Sequence, residues 1–129
     1  MNNERQVTFS FFFFFFSLLT VPTHMVTRQR IVKTIQNQQV QIPCTARGIP
    51  RPTITWRRKR NGQHLSGRVT IRNTRDGKYV TSIITISHVQ TRDAGIYICT
   101  ATNKVTTRPI EGVVTLLVQG IVTKYHGDI

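Results

Sequence analysis

The chain has 129 residues and carries 18 Lys and Arg against 5 Asp and Glu, so its formal charge is +13. This length is that of one ordinary domain with at most a short tail, which excludes kinases, large barrel enzymes and most multi-domain receptors. The mixed composition is sufficient for a packed core and argues against a wholly disordered chain.

The N-terminal segment differs in composition from the rest, because all seven Phe residues lie in it. An uncharged run from Phe9 to Val21 is followed by Pro22. The run is shorter than the about 20 apolar residues of a spanning helix and suits a secretory signal peptide. We predict a signal peptide over residues 1–24, cleaved somewhere in residues 20–27. A short membrane anchor and a wrongly assigned start of a fragment stay open as alternatives, because no small-residue cleavage site follows.

After residue 25 the chain reads as a series of short strands without a further segment that could span a membrane. Its apolar residues are mostly Ile and Val, with many Thr, and these β-branched types favour strands. The positions that alternate with polar residues are Val40, Ile42, Cys44 and Ala46; Ile54 and Trp56; Val69 and Ile71; Ile84 and Ile86; Tyr97, Cys99 and Ala101; and Val114, Leu116 and Val118. Turn signals separate these segments, which predicts an all-β sandwich or barrel.

The chain has two cysteines, Cys44 and Cys99, and both lie on the inward face of a predicted strand. Two cysteines make a poor metal site, and the histidines lack the paired spacing of zinc fingers. We therefore predict a disulfide, which needs the oxidising compartment that the leader would supply.

Two ordered runs of residues carry a family resemblance. The first is Ala46-x-Gly48-x-Pro50-x-Pro52-x-Ile54-x-Trp56, and the second is Ile84-x-Ile86-x-x-Val89-x-x-x-Asp93-x-Gly95-x-Tyr97-x-Cys99-x-Ala101-x-Asn103. With these runs, residues 26–119 resemble an immunoglobulin-like domain of the I-set type, as in adhesion receptors and matrix proteins. The resemblance implies a Greek-key β-sandwich of two antiparallel sheets over residues 25–119, followed by a short tail at 120–129.

The resemblance also implies structural roles for individual residues. Trp56 would pack against the disulfide between the two sheets, and the Tyr97 hydroxyl would bond back to the backbone as a tyrosine corner. Arg68 and Asp93 would form a partly buried salt bridge. Thr106 departs from the family pattern, which often has Gly at this position.

The strongest functional signal is the run Arg57-Arg58-Lys59-Arg60 at the end of a predicted strand. Adjacent cations repel one another and favour anions. We predict a polyanion-binding patch, with heparan sulfate as the first ligand because the chain is predicted to be secreted. A solvated basic loop without a partner is the alternative. Nucleic acid is a weaker fit, because no aromatic platform interleaves the cations.

A second signal is the pair Ile96 and Ile98, which alternates with Tyr97 and Cys99 and is predicted to face outward beside Arg57. An apolar pair with cations at its rim would suit a protein partner that is apolar in the middle and acidic outside. The alternative is that both are ordinary strand-forming residues. Homophilic pairing is less favourable because two such basic surfaces repel.

Catalysis has little support in the sequence. No histidine has a Cys or Ser in a triad arrangement, the acids are few, and no Gly-rich phosphate loop occurs. We predict a non-enzymatic chain with no cofactor and no metal. The favoured function is a secreted or cell-surface module for adhesion or ligand recognition, which binds an extracellular protein, a sulfated glycosaminoglycan or both. The alternatives are a spacer module of a larger muscle or cytoskeletal protein and the N-terminal module of a truncated adhesion receptor.

Overall fold

The computed structural model describes residues 19–59 and 68–121, which form two four-stranded sheets. The strands are β1 Val21–Met25, β2 Gln29–Ile35, β3 Val40–Ile49, β4 Thr53–Arg58, β5 Val69–Asp76, β6 Tyr79–Ile86, β7 Gly95–Thr102 and β8 Ile110–Gln119. One 3-10 turn, Thr91–Asp93, precedes β7. The predicted all-β sandwich is confirmed. Most of the predicted leader, Arg60 and most of the predicted tail lie outside the described residues.

The two sheets are connected in the Greek-key manner. The first sheet has the strand order β1-β3-β6-β5, and the second sheet has the order β2-β8-β7-β4. Neighbouring strands are antiparallel, except that β2 runs parallel to β8. Strands far apart in the chain are therefore neighbours in each sheet. The inward faces of the two sheets form two apolar clusters, and Trp56 packs against both of them.

The core is formed by the inward residues of the central strands. Ile42, Ile84 and Leu116 are fully buried, as expected where alternating apolar positions of both sheets face one another. Cys44 and Cys99 are joined by a disulfide between β3 and β7, so the predicted disulfide is present and links the two sheets. The residues that pack around this disulfide include Met25, Ala46, Ile54, Val80, Ala101 and Trp56.

The edge strand β5 is less buried than its sequence predicts. Val69 is half-buried, but Ile71 is 51% exposed, although its register partner Ile84 on β6 is fully buried. Among the described strands, β5 pairs with β6 alone. The alternating pattern therefore predicts the strand correctly but overestimates its burial, because an outermost strand contributes less to the core.

The first strand begins at Val21, inside the predicted leader range, and the β7–β8 loop holds it in place. Met25 is 3% exposed and lies in the core. The Thr106 hydroxyl oxygen accepts a hydrogen bond from Thr23 N at 3.0 Å and lies 2.7 Å from Thr23 Oγ1. Asn103 Nδ2 donates to Val21 O at 2.9 Å. The Thr that departs from the family pattern thus supplies a hydroxyl that joins β1 to this loop.

Candidate functional site

The predicted basic run is divided by the alternation of β4, which continues to Arg58. Arg57 lies on the outer face of the second sheet, opposite Ile98 of β7. Its Nη2 donates to Glu111 Oε2 at 2.6 Å, and its Nη1 donates to Thr100 Oγ1 at 3.0 Å. Arg57 therefore already has an anionic partner within the chain.

Arg58 points to the opposite face of β4. Its guanidinium lies over the Tyr97 ring at 5.1 Å from the centroid, and its Nη2 donates to Ala94 O at 2.9 Å. Lys59 is exposed, and Arg60 lies outside the described residues. Because neighbouring residues of a strand point to opposite faces, the run does not form one surface of four free cations. Within the run, Arg57 and Arg58 therefore have partners in the fold, whereas Lys59 is exposed.

The corner before β7 has the interactions that the resemblance implies. The Tyr97 hydroxyl donates to Asp93 O at 2.6 Å. The Asp93 carboxylate accepts from Arg68 Nη2 at 2.8 and 3.1 Å and from Gln90 N at 2.7 Å. Burial raises the pKa of Tyr97, and the nearby Arg58 charge opposes that rise. These contacts fix the backbone where β7 begins, so the role of these residues is structural.

Three loops meet at one end of the sandwich and bring together cations that are distant in the sequence. In the β3–β4 loop, Arg51 Nη1 donates to Gly77 O of the β5–β6 turn at 3.4 Å. From the β7–β8 loop, Asn103 Nδ2 donates to Pro50 O at 2.9 Å. The cations on or next to these loops, here called the basic pole, are Arg47, Arg51, Lys78, Lys104 and Arg108.

The basic pole is solvent-accessible and mostly uncompensated. Its members are exposed, apart from the half-buried Arg47. Lys78 Nζ lies 5.9 Å from the centroid of the Tyr79 ring. The described acid at this end is Asp76, whereas Asp93 and Glu111 are engaged in salt bridges elsewhere. A dense anion could therefore contact cations from several loops at once.

The outer face of the second sheet differs from its prediction. Ile96 is half-buried, but Ile98 is only 7% exposed, so the prediction that Ile98 is an exposed contact residue is wrong. Alternation places Ile98 on the outer face, where its register neighbours are Arg57 and Val113. Because Arg57 extends across β7 to Glu111, its side chain passes over this part of the face.

The exposed apolar residues of that face lie on β2 and β8 instead. Ile31 is 59% exposed, Ile35 is 43% exposed and Leu117 is 44% exposed. β2 is absent from the strands predicted from the sequence, although Ile31, Lys33 and Ile35 share one face of a short alternating segment. The signal was present, but the segment has few apolar residues and precedes the recognised family runs.

Two negative observations apply to the described parts of the chain. No group of three His, Cys, Asp or Glu side chains is close enough to hold a metal ion. No helix there has the length and apolar character that a membrane crossing requires.

Curated proteins with similar sequences include adhesion molecules. Mouse (Mus musculus) hemicentin-2 is 32% identical over 100 residues, which cover 75% of this chain and 2% of hemicentin-2. Bovine (Bos taurus) neural cell adhesion molecule 1 is 34% identical over 93 residues, which cover 67% of this chain and 10% of that protein. The chain thus spans a small fraction of the length of these relatives.

Solved structures and a family model give the same fold. A chimeric titin Z1Z2 structure superposes with a TM-score of 0.61 and 27% identity, covering 79% of this chain and 99% of the other. In the complex of Dpr2 with DIP-Theta, a chain superposes with a TM-score of 0.67 and 20% identity, covering 77% of this chain and 33% of the other. The model of the immunoglobulin I-set domain matches residues 23–116. The chain therefore belongs to the immunoglobulin I-set domain family.

Proposed function

We propose that this chain is an extracellular binding module for adhesion or ligand recognition, not an enzyme, and that its basic pole binds a sulfated polyanion such as heparan sulfate. The observation that carries the proposal is the convergence of three basic loops at one end of the sandwich. Hydrogen bonds from Arg51 and Asn103 join these loops, so the cations are held on a connected surface. Loops at the end of an immunoglobulin sandwich are a common place for recognition.

The charge distribution favours an anionic ligand. The formal charge of the chain is +13, and two of the described acids already have Arg partners. Guanidinium groups bind sulfate oxygens through paired hydrogen bonds, and exposed cations bind less tightly as salt rises. The pole therefore offers both the field that attracts a polyanion and the donors that contact it.

An extracellular location is consistent with the disulfide. The Cys44–Cys99 bond joins the two sheets, and such bonds persist in oxidising compartments. The predicted leader, if it is cleaved before β1 begins at Val21, would direct the chain there. The similarity to adhesion proteins supports the same location.

The run Arg57 to Arg60 stays a second proposed polyanion site. Its weakness is that Arg57 and Arg58 have partners in the fold, whereas Lys59 is exposed. Polyanion binding there would compete with the Glu111 carboxylate for Arg57. This competition makes the basic pole the stronger of the two sites.

Three triple variants of equal charge distinguish the sites on a heparin column. Each variant replaces three cations by Gln, so each has a formal charge of 13 minus 3, or +10. The pole variant changes Arg51, Lys78 and Lys104; the β4 variant changes Arg57, Lys59 and Arg60; and the control variant changes the exposed Arg28, Arg72 and Arg92. Circular dichroism melting of all three would verify that the fold is retained.

We expect the pole variant to elute at a clearly lower salt concentration than the control variant. If the β4 variant elutes first, the polyanion site lies on the run Arg57 to Arg60. If all three variants elute together, binding reflects net charge alone and the proposed site is refuted.

A structural role in a longer protein is the second candidate function, favoured by the 27% identity to a titin Z1Z2 structure over 79% of this chain. A spacer module inside cells would keep Cys44 and Cys99 reduced. Labelling of free thiols in the native protein separates the two functions, because the extracellular module has no reactive thiol at these positions. The small share of each relative that the chain covers also supports a place as one module of a longer receptor.

A further inference from the structure

We propose that the open edge of β2 binds an extended segment of an acidic protein partner, which adds a fifth strand to the second sheet. Among the described strands, β2 pairs with β8 alone, so its other edge has no strand neighbour. A strand edge presents unpaired N–H and C=O groups that can pair with another chain. This site is separate from the basic pole, because β2 contributes no residue to the pole.

The parallel pairing with β8 determines which backbone N–H and C=O groups of β2 are free to pair with an added strand. Val113 N donates to Arg28 O, and Gln36 N donates to Gln119 O. Because a parallel ladder uses every second residue of a strand, the even-numbered residues of β2 bond to β8. The N–H and C=O groups of the odd-numbered Ile31 and Lys33 therefore point to the open edge, where an added strand would pair with them.

The side chains of the same odd-numbered residues define what the added strand must carry. Ile31, Lys33 and Ile35 share the outer face of the sheet with Leu117, which lies directly opposite Lys33. The two isoleucines and Leu117 are exposed, and they surround the Lys33 cation on this face. A neighbouring strand would place its own side chains beside Ile31, Lys33 and Ile35 in turn. The matching pattern is apolar-x-acidic-x-apolar, which is the same in either strand direction.

The charges of β2 favour a different protein over a second copy of this chain. Two β2 strands that paired with each other would place the Lys33 cations of both copies on the same face of the joined edge, and like charges on neighbouring strands are destabilising. Lysine on an edge strand is a common protection against self-pairing. The chain has 18 basic and 5 acidic residues, so an acidic segment is more readily supplied by a partner.

The test uses a fluorescent, acetylated heptapeptide, Thr-Ile-Thr-Glu-Thr-Ile-Thr, and a second probe in which Lys replaces Glu. Fluorescence anisotropy would measure the binding of both probes to the wild-type chain and to Lys33→Glu. We expect the wild type to prefer the Glu probe by roughly fivefold or more, and Lys33→Glu to reverse that preference, as for a cross-strand charge pair. The matched control is Arg72→Glu on the exposed edge strand β5, which makes the same charge change and should keep the wild-type preference.

The backbone pairing has its own readout. Hydrogen exchange at the amides of Ile31 and Lys33 should slow when the Glu probe binds, whereas the amides that already bond to β8 should change little. A Glu probe with N-methylated backbone amides should lose binding, because it cannot donate to the open edge. Equal binding of the methylated probe, or no detectable binding of the Glu probe, would overturn the proposal.

Pairing of two copies of this chain at the β2 edge can be distinguished from binding of a different protein. If sedimentation shows a dimer of the wild-type chain that Ile31→Asp abolishes, the occupant of the edge is another copy of this chain and the proposed partner is wrong. Heparin elution should be the same for the wild type and Ile31→Asp apart from the small effect of one charge, so failure at this edge and failure at the basic pole are separate results.

Discussion

Asp93→Ala removes the acceptor that three donated hydrogen bonds share at the corner before β7. The Asp93 side chain is 8% exposed and accepts from Arg68 Nη2 at two oxygens and from Gln90 N at 2.7 Å. Loss of the charge-assisted bonds to Arg68 costs about 2 kcal/mol, since Arg68 is 34% exposed and regains some water. Loss of the bond from Gln90 N adds about 1 kcal/mol, as for a helix cap.

The expected total is about 3 kcal/mol, a large part of the 5–15 kcal/mol of a typical domain. For a domain of about 100 residues this loss lowers the melting temperature by about 12 °C or more. Urea unfolding of wild type, Arg68→Ala, Asp93→Ala and the double variant would measure the coupling between the two residues. Asp93→Asn is the matched control, because its amide oxygen can still accept from Gln90 N and it should lose less. A coupling free energy below about 0.5 kcal/mol would show that the pair contributes no interaction of its own.

Three further predictions concern the core and its edges. Cys44→Ala should lower the free energy of unfolding by about 2–5 kcal/mol, measured in urea, and a loss below 1 kcal/mol would contradict the role of the disulfide. Ile98→Asp should cost about 3 kcal/mol, because it places a charge at a position that is 7% exposed, and the half-buried Ile96→Asp should cost less in the same melting experiment. Burial raises the pKa of Tyr97 above 10.0, so the folded chain keeps the phenol proton longer than the unfolded chain. The contribution of this proton to the free energy of unfolding is complete below pH 10.0 and is lost as the pH rises through the pKa of Tyr97 in the folded chain. Over that range the urea midpoint of Tyr97→Phe should fall less than the urea midpoint of the wild type.

The fold is predictable from the sequence where a strand alternates clearly between apolar inward residues and more polar outward residues. β3, β6 and β7 have inward apolar residues at every second position, and the structure buries them. β2 was not recognised, because an edge strand with few buried residues has a weak pattern. Its parallel pairing with β8, at the other end of the chain, has no local sequence signal.

The candidate sites were predictable only in part, because alternation determines the face of a residue and not its neighbours. The outer face was correct for Ile98, but its burial depends on Arg57, which reaches Glu111 on another strand. The sequence suggests one patch from Arg57 to Arg60 because the four cations are consecutive. The extension of β4 through Arg58 places its first two cations on opposite faces, while the basic pole gathers residues from three separate loops.

The position of β1 leads to a prediction about processing. A chain that begins at Thr20 keeps this strand, whereas a chain that begins at Val26 loses Met25 from the core and Thr23 from its bond to the β7–β8 loop. Removal of a buried Met side chain costs about 2–5 kcal/mol, and the conformational entropy of the residues no longer ordered offsets part of it. We expect the shorter chain to be less stable by about 2 kcal/mol in urea. If a leader is cleaved, the first residue of the secreted protein should therefore lie at or before Val21, as N-terminal sequencing would show. A secreted chain that begins at His24 or later, with the stability of the longer chain, would mean that β1 is dispensable.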